Sequence, residues 1–293
     1  MEIIVAKNCG LCYGVKRALN IAKKTRLKKK GKVYTWGDLI HNPQVIADLN
    51  KKGILSGEDL NQLDKGTVVI IRSHGVSPHI YQLLKQKQIE VIDATCPIVK
   101  KIQKLVAKLA RKEEEIVIVG NREHPEIKGL IGYGQGKVII IENEVQARNL
   151  SFKKARAVLA QSTQDLFLFG KIVALLIERT EELKVYNTIC ESTQTRQKST
   201  SELASRVDTL FIVGGKNSSN TRKLYQISKR VLPRTYFIEK ADQITPEMLK
   251  GADKIGLSGG ASTPPEAIQQ AVAKIKAWFD HQLQRENFVQ WPR

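Results

Sequence analysis

Four cysteines stand in this 293-residue chain, at positions 9, 12, 96 and 190. Cys9-Gly10-Leu11-Cys12 is a Cys-x-x-Cys pair, a spacing shared by redox dithiols and metal sites. A dithiol reading uses one local pair and leaves Cys96 and Cys190 idle. A zinc ribbon needs a second close pair, which the sequence lacks. Cys12, Cys96 and Cys190 instead stand far apart in the chain, 84 and 94 residues from one to the next. Thiolates gathered from three segments suit an iron–sulfur centre. Against this stands the plain alternative that unpaired cysteine is among the most buried residue types and often only packs.

Whatever the cysteines do, an alternation of short apolar runs and longer stretches of helical period must position them, which is the pattern of an α/β protein. Strands are expected at Ile3–Ala6, Val33–Thr35, Val68–Arg72, Glu90–Ile92, Ile116–Val119, Val138–Ile141, Ala157–Ala160, Leu210–Val213, Tyr236–Ile238 and Lys254–Leu257. Helices are expected over Val15–Lys30, Pro43–Lys52, Pro78–Lys87, Pro97–Arg111, Leu166–Leu183, Thr195–Arg206, Asn220–Val231 and Pro264–Phe279, several opened by proline, whose missing N–H costs nothing there. Strand ends run into turns rich in Ser, Asn and His. One set holds Ser73-His74, His124 and Ser218-Ser219-Asn220; a second holds His41-Asn42, Ser162 and Ser262. In open α/β sheets ligands bind beyond the carboxyl ends of strands, where helix N-termini offer N–H groups to anions. Each turn is also readable as a helix cap. Taken together they suggest three similar units, with boundaries at 1–96, 97–190 and 191–293 (the last with a C-terminal tail), around an anion-binding cavity.

Forty-eight Lys and Arg against 29 Asp and Glu give a net charge of +19, which invites a nucleic-acid partner. The excess is spread evenly over the three thirds, aromatic residues are only 6%, and no recognised binding motif is present, all of which oppose that reading. With 42% hydrophobic and 26% charged residues, the composition is that of an ordinary globular protein. No apolar run reaches the ~20 residues of a membrane span, and the N-terminal segment does not read as a signal peptide. The expectation is a reducing, cytoplasmic setting with no membrane and no nucleic acid.

Eight short motifs carry a resemblance: Gly10-Leu11-Cys12-Tyr13-Gly14-Val15, Ile40-His41-Asn42-Pro43, Ser73-His74-Gly75-Val76, Asp93-Ala94-Thr95-Cys96-Pro97, His124-Pro125-Glu126, Cys190 with Thr193 and Arg196-Gln197, Gly215 through Asn220, and Gly260-Ala261-Ser262. In this order they resemble the IspH/LytB family of 4-hydroxy-3-methylbut-2-enyl diphosphate reductases, from Ile3 to about Phe279. The resemblance implies an α/β fold of three similar units in pseudo-threefold arrangement around a central iron–sulfur cluster. It implies a [4Fe–4S] cluster on Cys12, Cys96 and Cys190, with the fourth iron open to the substrate's hydroxyl. It implies a two-electron reductive dehydroxylation giving isopentenyl and dimethylallyl diphosphates, the last step of the non-mevalonate isoprenoid pathway.

By the same resemblance, His41, His74, His124, Ser162, Ser218, Ser219, Asn220 and Ser262 hold the diphosphate or the hydroxyl, and Glu126 delivers the proton. The implied electron donor is an acidic ferredoxin or flavodoxin. His79 and His281 are left as surface residues. Two departures matter: Ser162 stands where the family usually has Thr, and Leu11 where it has Phe. Cys9 is not a family ligand and is expected to be a buried or spare thiol. The rival classes are a basic nucleic-acid-binding protein and a zinc-stabilised scaffold without catalysis.

Overall fold

The computed structural model describes residues 1–112 and 114–289; the end of the expected C-terminal tail, 290–293, lies outside them. The chain begins with β1 (Glu2–Val5), α1 (Tyr13–Lys28), β2 (Val33–Trp36), α2 (Pro43–Lys51), β3 (Ile54–Gly57), β4 (Val68–Ile71), α3 (Pro78–Gln86) and β5 (Glu90–Asp93). It continues with α4 (Pro97–Arg111), β6 (Glu115–Val119), α5 (Pro125–Ile131), β7 (Val138–Ile141), α6 (Glu144–Arg148), β8 (Lys153–Ala160), α7 (Leu166–Ile177) and β9 (Thr180–Tyr186). The last stretch holds α8 (Glu191–Ala204), β10 (Thr209–Val213), α9 (Ser219–Val231), β11 (Thr235–Ile238), α10 (Pro246–Leu249), β12 (Lys254–Gly259) and α11 (Pro265–Val289).

The strands form three parallel four-stranded sheets, ordered β3-β2-β4-β5, β7-β6-β8-β9 and β11-β10-β12-β1. Written this way, the three orders superpose. Strands β2, β6 and β10 are equivalent, as are β4, β8 and β12, and each sheet ends on an edge strand (β5, β9 or β1) that leads toward one of the cysteines. The inner strands β4, β6 and β10 are buried along almost their whole length, as parallel strands covered on both faces must be. Their Val, Ile, Leu and Phe side chains contribute about 1.5–3 kcal/mol each by burial.

Two expectations change here. Strand β1 pairs in register with β12, Ile3 against Ile255 and Ile4 against Gly256, so it completes the third sheet rather than belonging with residues 1–96. A four-residue edge strand encodes no partner in its own pattern. The helix expected over Leu166–Leu183 ends at Ile177, and Thr180–Tyr186 forms edge strand β9; a half-polar edge strand lacks the continuous apolar run that marks an inner one. Strand β3 and helices α5, α6 and α10 were likewise not marked by the periodicity.

The chain divides into two compact units, Met1–Leu11 with Thr195–Arg293, and Cys12–Gln194. The first contains the sheet of β1, β10, β11 and β12; the second contains the other two sheets. A guanidinium is fully buried in the second unit. The Arg156 side chain donates to Glu115 Oε1 (2.5 Å), the Arg179 and Ser151 carbonyls (2.8 and 2.6 Å) and Thr180 Oγ1 (3.2 Å), satisfying its donors where a lone cation would be prohibitive.

Candidate functional site

Each of the three expected ligand cysteines sits at the start of a helix within the unit Cys12–Gln194. Cys12 is the N-cap of α1 and Cys96 the N-cap of α4, while Cys190 directly precedes α8 and its carbonyl accepts from Thr193 N (2.8 Å) and Gln194 N (3.0 Å). Proline at the first position of α4 fixes that start. Helix N-termini carry positive partial charge and favour thiolate. Burial pushes the Cys96 thiol up; the Ile98 and Val99 N–H groups, which hydrogen-bond to it, pull it down, and Cys12 and Cys190 lie close enough to push it up again electrostatically. The three sulfurs therefore share one neighbourhood. A Cβ on Gly14 would stand 2.7 Å from Cys96 Sγ and 4.0 Å from Cys12 Sγ, so a glycine is what lets the first turn of α1 lie against both.

Backbone hydrogen bonds tie each cysteine loop to the adjoining strand end. Cys96 N donates to the Ser73 carbonyl and Cys190 N to the Ser162 carbonyl, both at 2.9 Å. These are the equivalent positions after β4 and β8. The structure thus regroups the strand-end turns: His74, Ser162 and Ser262 follow the β4, β8 and β12 set, whereas His41, His124 and Ser218 follow the β2, β6 and β10 set.

His41, His74 and His124 come together. Their ring centroids are 4.3 Å (His41–His74), 5.2 Å (His41–His124) and 5.3 Å (His74–His124) apart, and one ring nitrogen from each lies within 4.8 Å of the others. Burial, then the neighbouring His41, His124 and Arg72, push the His74 imidazole well below its ordinary range. Its Nδ1 is buried with no hydrogen-bond partner among the described residues. Such a triad could grip a divalent cation or an anion's oxygens. The guanidinium of Arg72, near enough to act on His74, favours the anion.

Glu126 is buried at the start of α5, 1% exposed. Its Oε1 accepts from Ser162 N (2.7 Å) and its Oε2 is 2.6 Å from Ser162 Oγ. Burial raises its pKa, and the two Ser162 hydrogen bonds restrain the rise. Glu126 N donates to His124 Nδ1 (3.2 Å), which leaves the His124 proton on Nε2. Ser162 is therefore the link between the carboxyl and the Cys190 loop.

In the other unit, Ser218 caps α9, its Oγ accepting from Thr221 N (3.3 Å), and Ser219 and Asn220 follow, all buried. The Asn220 amide is buried with neither Oδ1 nor Nδ2 hydrogen-bonded among the described residues, a cost tolerated where a ligand completes the pairing. Ser262 is 5% exposed after β12. Cys9 lies against Gly259 and is hydrogen-bonded by the Gly259 and Gly10 backbone; burial pushes its thiol up to about 11, despite Arg196. It is a protonated, packed thiol. His79 and His281 are exposed, as expected.

Three positioning roles were not legible in sequence: that of Gly14, that of Ser73 (read there only as part of a strand-end turn), and that of Arg17, whose Nη1 donates to the Thr95 carbonyl (3.1 Å) beside Cys96. All three lie inside or beside the quoted motifs, but one-dimensional spacing does not reveal contacts from position 17 to position 95. Among the described residues, no helix is long and apolar enough to cross a membrane.

Comparison with known proteins bears on this geometry. The family model described as LytB protein matches residues 3–276. The 4-hydroxy-3-methylbut-2-enyl diphosphate reductase of Caldanaerobacter subterraneus is 45% identical over 94% of this chain and 97% of its own length. That of Aquifex aeolicus is 41% identical over 97% of this chain and 99% of its own. Among solved structures, an (E)-4-hydroxy-3-methyl-but-2-enyl diphosphate reductase, titled the terminal enzyme of the non-mevalonate pathway, is 40% identical. It superposes with a TM-score of 0.67 over 94% of this chain and 100% of that one. The corresponding Plasmodium falciparum reductase is 28% identical, with a TM-score of 0.88 over 93% of this chain and 87% of its own.

Proposed function

The chain belongs to the LytB family, and from that premise we propose that it reduces (E)-4-hydroxy-3-methylbut-2-enyl diphosphate to isopentenyl and dimethylallyl diphosphates. In this reaction the allylic C–O bond breaks, the oxygen leaves as water, and the substrate takes up two electrons and two protons in all. The observation that carries the reading is the meeting of three helix-capping thiols, Cys12, Cys96 and Cys190, in the unit that also holds a buried acid and a histidine triad.

This is an iron–sulfur family. Three soft thiols sharing one buried neighbourhood at three helix starts fit such a centre, and three ligands rather than four suit a [4Fe–4S] cluster with one iron open. When bound, the cluster supplies electrons and Lewis acidity at that iron. The chain's own groups do the rest. Glu126, its pKa raised by burial, is the proton source: in its acid form the carboxyl passes a proton from Oε2 to Ser162 Oγ, 2.6 Å away, as the Ser162 hydroxyl gives up its own to the departing oxygen. Serine in place of the family's usual threonine keeps this hydroxyl and loses the methyl that stiffens its rotamer. His41, His74 and His124 donate to the diphosphate, and Ser218, Ser219, Asn220 and Ser262 are assigned the same task on the strength of the resemblance and of the unsatisfied Asn220 amide. Electrons come from an acidic carrier such as ferredoxin or flavodoxin, in a cytoplasmic setting.

Anaerobic reconstitution with iron and sulfide tests the proposal. About four of each per chain, with turnover of the allylic diphosphate under a viologen reductant, is expected. A colourless zinc-bound protein that leaves the substrate untouched would overturn it.

A further inference from the structure

The net charge of +19 has a location that the even division by thirds conceals. Helix α1, which starts at Cys12, carries Lys16, Arg17, Lys23, Lys24, Arg26 and Lys28 and no acidic residue. Helix α4, which starts at Cys96, carries Lys100, Lys101, Lys104, Lys108 and Arg111 and again no acid. These two helices alone supply eleven positive charges, 6 + 5, uncompensated within themselves. Helix α9, in the other unit, is also purely basic but begins at Ser219, beyond the serine turn rather than at a thiol.

Packing explains which of these charges face water. On α1, Val15, Ala18, Leu19 and Ala22 turn inward, leaving Lys16, Lys23 and Lys24 exposed. On α4, Val99, Ile102, Val106 and Leu109 turn inward, and Lys101, Lys104 and Lys108 recur on the solvent side at helical spacing. None of these six lysines has an ion-pair partner among the described residues, whereas Lys29 and Lys100 are paired with Glu90 and Asp93. The two basic stripes start from touching helix ends, since Gly14 lies against Cys96 Sγ and Arg17 reaches the Thr95 carbonyl. At that junction Tyr13, adjacent to Cys12, leaves 73% of its surface in solvent.

Unpaired like charges on one face cost stability through self-repulsion, and an exposed aromatic ring beside them is the composition of a docking surface with a central anchor. We propose that the exposed faces of α1 and α4, with Tyr13, are where an acidic one-electron carrier protein docks to deliver electrons beside Cys12 and Cys96. This deepens the reductase reading and rests on it. The balance requires a reductant: each turnover consumes two electrons, so a one-electron carrier is oxidised twice, in two dockings. An acidic surface is what six exposed, unpaired lysines select, and electrostatic steering speeds repeated encounters.

The test uses the cluster-loaded full chain with a reduced plant-type [2Fe–2S] ferredoxin as the probe carrier, and a viologen dye as the small-molecule reductant. The triple variant Lys23→Glu, Lys101→Glu, Lys104→Glu is compared with a control, Lys250→Glu, Lys274→Glu, Lys276→Glu, that reverses as many charges in the other unit. The docking face predicts that the first variant raises the ferredoxin KM about tenfold or more and flattens its salt dependence, with viologen-driven turnover within about twofold of wild type. Direct binding of ferredoxin to the cluster-free chain, read by titration calorimetry at low salt, falls in parallel. An unchanged ferredoxin KM, or an equal loss in the control, would overturn the assignment. So would wild-type protein that holds an oligonucleotide through these lysines at roughly 0.15 M salt while ignoring ferredoxin. If wild-type protein fails with viologen as well, it is the reductase reading that has failed, not the docking face.

Discussion

Glu126 has its whole carboxyl committed to one neighbour, Ser162, inside a buried site. That arrangement makes an acid, because burial disfavours the charged form more than the two hydrogen bonds favour it. Glu126→Gln should keep iron and sulfide content and lose turnover by about 100-fold or more, the usual worth of a positioned general acid. In the wild type the acid is present below its raised pKa, so kcat falls as pH rises through that value, and the alkaline limb should vanish in the variant. His74 behaves in the opposite sense. Its lowered pKa leaves it neutral near pH 7, and a bound anion reverses that penalty. Inorganic pyrophosphate binding should therefore take up about one proton or less and tighten as pH falls. Calorimetry in buffers of unequal ionisation heat checks this; a heat independent of buffer would refute it. Cys9, protonated and packed against Gly259, should be replaceable. Cys9→Ser is expected to keep an unchanged cluster spectrum, and loss of the cluster would make Cys9 a ligand.

Helix starts do the positioning at the next scale. α1 and α4 begin directly after a proposed ligand, as α8 does, so each thiol has the positive partial charge of a helix start beside it. Close approach of α1 to Cys96 depends on Gly14. In helix propensity alanine is better than glycine by about 1 kcal/mol, yet a Cβ at this position would meet Cys96 Sγ at 2.7 Å. Gly14→Ala should thus leave the thermal unfolding midpoint unchanged or slightly raised while iron incorporation drops by half or more, a split that distinguishes a displaced ligand from a damaged fold. The helices with a proline start were legible in sequence because Pro43, Pro78 and Pro97 mark their own first turns. Strand β9 was not, because an edge strand of mixed exposure without alternation carries Leu183 at a place where it reads as the end of α7.

For the whole molecule, the pairing of β1 with β12 means that the first residues of the chain finish a sheet built mainly from residues beyond 208. Ile4→Asp should therefore raise amide exchange in β12 by about tenfold or more while leaving β2 and β4 as they were. The reverse pattern would return the N-terminal strand to the first third. By itself the sequence determined the α/β class, the inner strands and the proline-led helices, and its short motifs put forward the three cysteines, the three histidines and Glu126 through a family resemblance. These are local properties, carried by hydrophobic period, turn chemistry and short motifs. Tertiary structure alone decided which strand closes the third sheet and which turns are equivalent. It also decided that Gly14, Arg17 and Ser73 hold the cysteine loops and that Ser162 joins the acid to Cys190. Each of these is a pairing between residues far apart in the chain, and parallel strands and helix starts accept many partners until packing selects one.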